Sequence, residues 1–175
     1  MRRFAFLVIG FLIVVSGLAI NRADAKDTKG CDGLADYRAE MFAAGRDYLK
    51  LLDEDGIGVG RDPFTYSSDD WTSGADDLLA YNRALVEIDP PEWAAEWHQL
   101  KIELSGLSEQ VFRIIAKDGV MMILGFSDQF DANEAATDAA IERIGKSCAD
   151  FPAFTRDHDA LDGDIDGTPV ATPTN

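Results

Sequence analysis

The chain lacks nearly every short motif that carries chemistry. Its 175 residues include two histidines and two cysteines, and no C-x-x-C-H run exists, which excludes covalent attachment of c-type haem. There is no G-x-S-x-G turn, and spacing places no histidine near the serines on expected helix faces, Ser105 and Ser127. Di-iron bundles need paired Glu-x-x-His motifs, whereas Ala95 stands three before His98 and Thr155 three before His158. The run Gly56-Ile57-Gly58-Val59-Gly60 follows a helical pattern rather than a strand and lies among acids that would repel phosphate. With acids so abundant, carboxylate pairs within helical reach arise without purpose. The expectation is therefore a protein that is not an enzyme.

Basic residues are also scarce. Sixteen Lys and Arg stand against 32 Asp and Glu, a net charge of −16, so nucleic acid and anionic lipid surfaces are repelled. A solvated acidic coat that keeps the chain soluble explains this balance. Only one long apolar run exists, over residues 4–20. It follows Arg2 and Arg3 and precedes the small residues Ala23 and Ala25, the arrangement of an export signal cleaved before Lys26. An uncleaved anchor is the alternative, since the run is at the short limit for spanning a bilayer. Loss of residues 1–25 moves the net charge to −18 and leaves 150 residues, which suits one domain with no membrane segment.

What is present is helical periodicity. Trp93, Trp97, Leu100, Leu104, Leu107, Val111 and Ile114 recur in steps of four and three, one stripe of a helix expected over 89–117. Asp89 is its expected cap and Pro90 its first turn, while Trp93 and Trp97 are read as core. A first helix is expected over 34–52, on Leu34, Tyr37, Met41, Ala44, Tyr48 and Leu51. The second starts at Ser67, with Asp70 three residues on and Tyr66 and Trp71 at the two positions of a hydrophobic staple. A fourth register runs from Val120 through Ile123, Ser127, Phe130, Glu134, Thr137, Ile141 and Ile144 to Cys148. Its polar middle predicts fraying or a kink near 131–133, and Met121, Met122, Leu124 and Phe126 make its start apolar on several sides, which predicts deep packing.

Four helices alternating up and down bring the start of the first and the end of the last to the same end. Cys31 and Cys148 occupy those ends, so the fold class is an all-α up-down-up-down four-helix bundle with its termini joined by a disulfide. The bundle is expected over 26–156, with Phe151 and Phe154 over one end, followed by an acidic disordered tail over 157–175.

Two candidate sites stand out. Asp162, Asp164 and Asp166 alternate before Gly167, and Thr168 offers a backbone carbonyl, the first half of a loop that wraps a hard cation in oxygen. This run resembles the calcium loops of EF-hand and excalibur-type domains, and the resemblance implies a weak calcium or other divalent-cation site. Pro173 stands at the twelfth loop position, Pro169 breaks the strand position and no Cys-Glu pair follows, so a solvated acidic tail is the competing reading. His98, beside Trp97, is either a hydrogen-bonded boundary residue or a haem ligand with Met41 or Met121. The helix start from Pro90-Pro91 to His98 resembles small exported bacterial helical-bundle proteins, a likeness that implies the bundle and no activity. The expected role is an exported domain binding a protein or a cell-envelope component, with cation binding as the alternative.

Overall fold

A computed structural model of the chain describes residues 30–57 and 62–161, with side chains through His158. Among these residues the fold is all-α, with helices α1 (Leu34–Glu54), α2 (Ser68–Glu87), α3 (Ala95–Asp118), α4 (Ser127–Gly145) and α5 (Phe151–Leu161), joined by three 3₁₀ segments. None of the described helices is long and apolar enough to cross a membrane.

The start of α2 follows from its sequence. The Ser67 side chain accepts from the Asp70 N–H while the Asp70 carboxylate accepts from the Ser67 N–H at 2.7 Å. Tyr66 and Trp71 close the staple edge to face, with ring centroids 5.4 Å apart. The start of α3 differs from expectation: Asp89 caps nothing, a 3₁₀ turn occupies Glu92–Ala94 and the α-helix begins at Ala95. Asp89 and Pro90 each precede a proline, whose ring disfavours helical torsions in the residue before it. Helix can therefore begin only beyond Pro91, which is itself extended at φ −58°, ψ 147°.

Contacts set the directions of the helices. Ser73 bonds to Asp55 and Tyr48 stacks on Tyr81, so α1 and α2 are antiparallel. Ser68 bonds to the Ala116 carbonyl at one end and His98 to the Leu85 carbonyl at the other, so α2 and α3 are antiparallel. Asn133 to the Leu100 carbonyl and Arg143 to Glu96 do the same for α3 and α4. The first four helices thus alternate as expected. The fifth, α5, lies against both α1 and α4 and runs parallel to α1, with Tyr37 near Phe154 and Arg38 paired to Asp157 at 2.7 Å. Helical order therefore continues past Arg156 into the stretch expected as tail, because Phe151, Phe154, Thr155 and His158 form one buried stripe.

The core is split in two. One cluster gathers Tyr37, Met41, Phe42, Trp97, Phe151 and Phe154 around the disulfide. The other gathers Leu52, Ile57, Trp71, Leu78, Phe112 and Ile115 at the opposite end. Cys31 and Cys148 are bonded, with Cα atoms 4.8 Å apart and a sequence separation of 117. Gly30 makes this approach possible: it holds φ +89°, and a Cβ there would lie 2.1 Å from the Ser147 carbonyl oxygen.

Closing so long a loop stabilises by about 4 to 5 kcal/mol in the chain-entropy picture, an upper figure. The paired substitution Cys31→Ser with Cys148→Ser is expected to lower the urea midpoint strongly while keeping the helical circular dichroism at low temperature. An unchanged midpoint would show that the bond adds nothing to the packing around it.

Candidate functional site

His98 sits in the disulfide-end core, 3% exposed. Its Nε2 lies 2.9 Å from the Leu85 carbonyl oxygen, which can only accept, so Nε2 carries the proton. The free lone pair on Nδ1 then accepts from the Tyr37 hydroxyl at 3.0 Å. Burial lowers the His98 pKa, opposed by the Leu85 bond, and burial raises that of Tyr37, with a smaller push from Tyr81. Both groups are held neutral. With both nitrogens engaged, the ring bonds α3 to α1 and α2, and a haem ligand there would have to break one of those bonds. Met41 shares its cluster, whereas Met121 is exposed at the other end.

Between the two apolar clusters the helices meet through polar side chains. Asn82 donates to Ser105 Oγ at 2.6 Å and to the Ile102 carbonyl at 2.8 Å. Ser108 bonds back to the Leu104 carbonyl at 2.9 Å, and Asn133 reaches the Leu100 carbonyl at 3.1 Å. The fully buried positions of α3 include Trp97, His98, Ser105, Ser108, Phe112 and Ile115, so the mid-helix stripe lies one residue on from Leu104 and Leu107. Small hydroxyls on that face let α2 approach, and their hydrogen bonds are satisfied locally. This arrangement holds helices together and leaves Ser105 without the base a nucleophile needs.

Among the described residues, Asp77 on α2 is the most perturbed carboxyl. It is 8% exposed, and its Oδ2 has no hydrogen-bond partner among the described residues. Burial, then the nearby Asp55, Asp76 and Glu54, push its pKa up to about 6. Arg113 pairs with Asp76 and Glu109 instead. No group of three or more potential metal ligands comes together among the described residues.

The segment Val120–Phe126 is a 3₁₀ helix of 7 residues, longer than such runs usually persist. Gly119, at φ +93° and ψ 158°, ends α3 in torsions open essentially to glycine alone. With three residues per turn, Val120, Ile123 and Phe126 face the second core cluster, and the residues between them cannot. Met121 is 66% exposed, Met122 46% and Leu124 59%, with Phe64 also exposed at 68%. Deep packing of Met121, Met122 and Leu124, expected from sequence, is thus corrected. The break in the fourth register lies here too: α4 is continuous through 131–133, where Asn133 satisfies its amide on α3 rather than fraying the helix.

The structure brings together Cys31 and Cys148, and buries Trp97 and His98. Asp162, Asp164, Asp166 and Thr168, the candidate cation ligands, lie outside the described residues, as do 58–61 of the glycine-rich run. Sequence reasoning missed Asp77, whose signal was its place one turn before Tyr81 on the buried face of α2. No protein-family model matches the chain, and neither a curated protein nor a solved structure matches it.

Two outcomes follow from these environments. The neutral form of Asp77 stabilises the fold: that contribution is full below the unfolded value of 3.8 and is lost as pH rises through about 6. Asp77→Asn should therefore raise stability at pH 8, by at most about 3 kcal/mol, and the gain should vanish near pH 4. Denaturant midpoints at the two pH values measure it, and an equal gain at both would contradict the assignment. Tyr37→Phe should cost about 1 kcal/mol and His98→Ala about 2 to 4 kcal/mol. A double-mutant cycle that showed no coupling between the two would remove the bond as a stabilising element.

Proposed function

We propose that the protein is an exported domain that acts by binding, with the end formed by Val120–Phe126 as its docking surface for a protein or a cell-envelope component. One observation carries the reading: Met121, Met122 and Leu124 are close together, apolar and exposed, whereas the other large apolar side chains of the described residues, Phe64 and Val86 apart, are buried or half-buried. Methionine is unbranched and polarisable, which suits a surface that must fit a partner, and contiguous exposed apolar residues mark interaction sites. Export is supported by the basic and apolar residues of 1–20 with their small-residue site, and by the disulfide, a bond that persists in oxidising compartments.

Methionine oxidation distinguishes bound from free. In the isolated protein, peroxide should oxidise Met121 and Met122 quickly and Met41, which is fully buried, slowly. The envelope and extracellular fractions of the source cell should protect Met121 and Met122 and leave the Met41 rate unchanged. Equal oxidation of Met121 and Met122 with every fraction would sink the docking surface. Export is checked separately by the amino-terminal residue of the secreted form, expected to be Lys26.

A further inference from the structure

The charge around this apolar end decides which partner it fits. Phe64 belongs to the same end, because Ser68, four residues on, bonds to the Ala116 carbonyl at 2.6 Å and Met121 follows Ala116 by five. Tyr66, Val120, Ile123 and Phe126 all pack against the same core cluster. Among the described residues, the segments 62–69 and 117–131 that carry these residues also carry Asp62, Asp69, Asp118, Asp128 and Asp131, all exposed, and one cation, Lys117. Along the sequence, the exposed apolar side chains are thus flanked by exposed carboxylates.

We propose that this end binds a cationic amphipathic segment of another protein, with Met121, Met122 and Leu124 against its apolar face and the surrounding aspartates against its lysines or arginines. The inference rests on the docking function above and adds the partner's chemistry. Met121 and Leu124 are three residues apart in a 3₁₀ helix, a rise of about 6 Å, which matches roughly one turn of a partner helix. Desolvated methionine and leucine supply affinity, while opposite charges at the rim set orientation and on-rate. The alternatives conflict with the charges present. Anionic lipid headgroups would meet the aspartates with like charge, and so would a second copy of this chain.

The test uses the whole disulfide-bonded chain and three synthetic helical peptides of about 18 residues. One is built of Leu and Lys, one of Leu and Gln with the same apolar face, and one of Lys and Ser with the same charge. Binding is read by anisotropy at about 0.15 M salt. The Leu/Lys peptide should bind at least tenfold tighter than either control. Met121→Ser with Leu124→Ser should weaken it at least tenfold, and Val86→Ser, an exposed apolar residue at the disulfide end of α2, should leave it within twofold. Equal binding of the Leu/Lys and Leu/Gln peptides would overturn the cationic assignment and leave the docking surface standing. Leu/Lys binding that ignores the double substitution would overturn both. Preference for phosphatidylglycerol vesicles over the peptide, or a dimer of the chain abolished by the double substitution, would also overturn the proposal. All three substituted side chains are exposed, and unchanged thermal melts confirm that the variants fold.

Discussion

Joining of Cys31 to Cys148 at one end of the helix array is the constraint on which the rest of the structure depends. Cys31 precedes α1 and Cys148 precedes α5, so their bond fixes where both helices start and makes them run side by side. Parallel neighbours usually need a long crossover, and here the three intervening helices α2, α3 and α4 provide it. Once α1 and α5 are aligned, Tyr37, Phe42, Phe154 and His158 meet as one aromatic block, and Trp97 of α3 closes it through Phe151 and Phe154. Gly30 matters for the same reason, since any side chain there would push on the Ser147 backbone.

That constraint makes the two ends of the molecule different. The disulfide end is closed by covalent and aromatic contacts and holds both histidines in its interior. At the other end Gly119 sets the start of a 3₁₀ run. A period of three can present only one residue in three to a core below it. In a run as apolar as Val-Met-Met-Ile-Leu-Gly-Phe, the remainder must face solvent or a partner.

The parts legible in the sequence are those fixed by neighbouring residues. The Ser67 and Asp70 box and the Tyr66 and Trp71 staple are local, and each appears where its residue types demand. The cysteine pairing was legible because a parity argument about helix direction needs no distances. Three features depended on context beyond the motif. Pro90 alone would suit a first turn, but the second proline removes helical torsions from it. The heptad steps through 120, 123 and 127 fit an α-helix as well as the observed 120, 123 and 126 fit a 3₁₀ helix, and sequence period could not separate them. Burial of Asp77 depends on how closely α1 approaches α2, which only the packed helices determine.

Two of the perturbed groups, His98 and Asp77, also pull against each other with pH. Below the unfolded histidine value of 6.5, His98 costs stability because its lowered pKa keeps it neutral while the unfolded chain takes up a proton. Over the same range Asp77 returns stability, because its raised pKa lets the folded chain take up a proton first. One group lies in the closed end and the other beside the second cluster. Mild acidification therefore leaves the neutral His98 link between α1, α2 and α3 in place, at a cost in stability from protonation of the unfolded chain, while easing repulsion among Asp77, Asp55, Asp76 and Glu54. The two contributions have opposite signs as pH falls, a property that follows from placing a neutral histidine and a neutral carboxyl in opposite halves of one divided core.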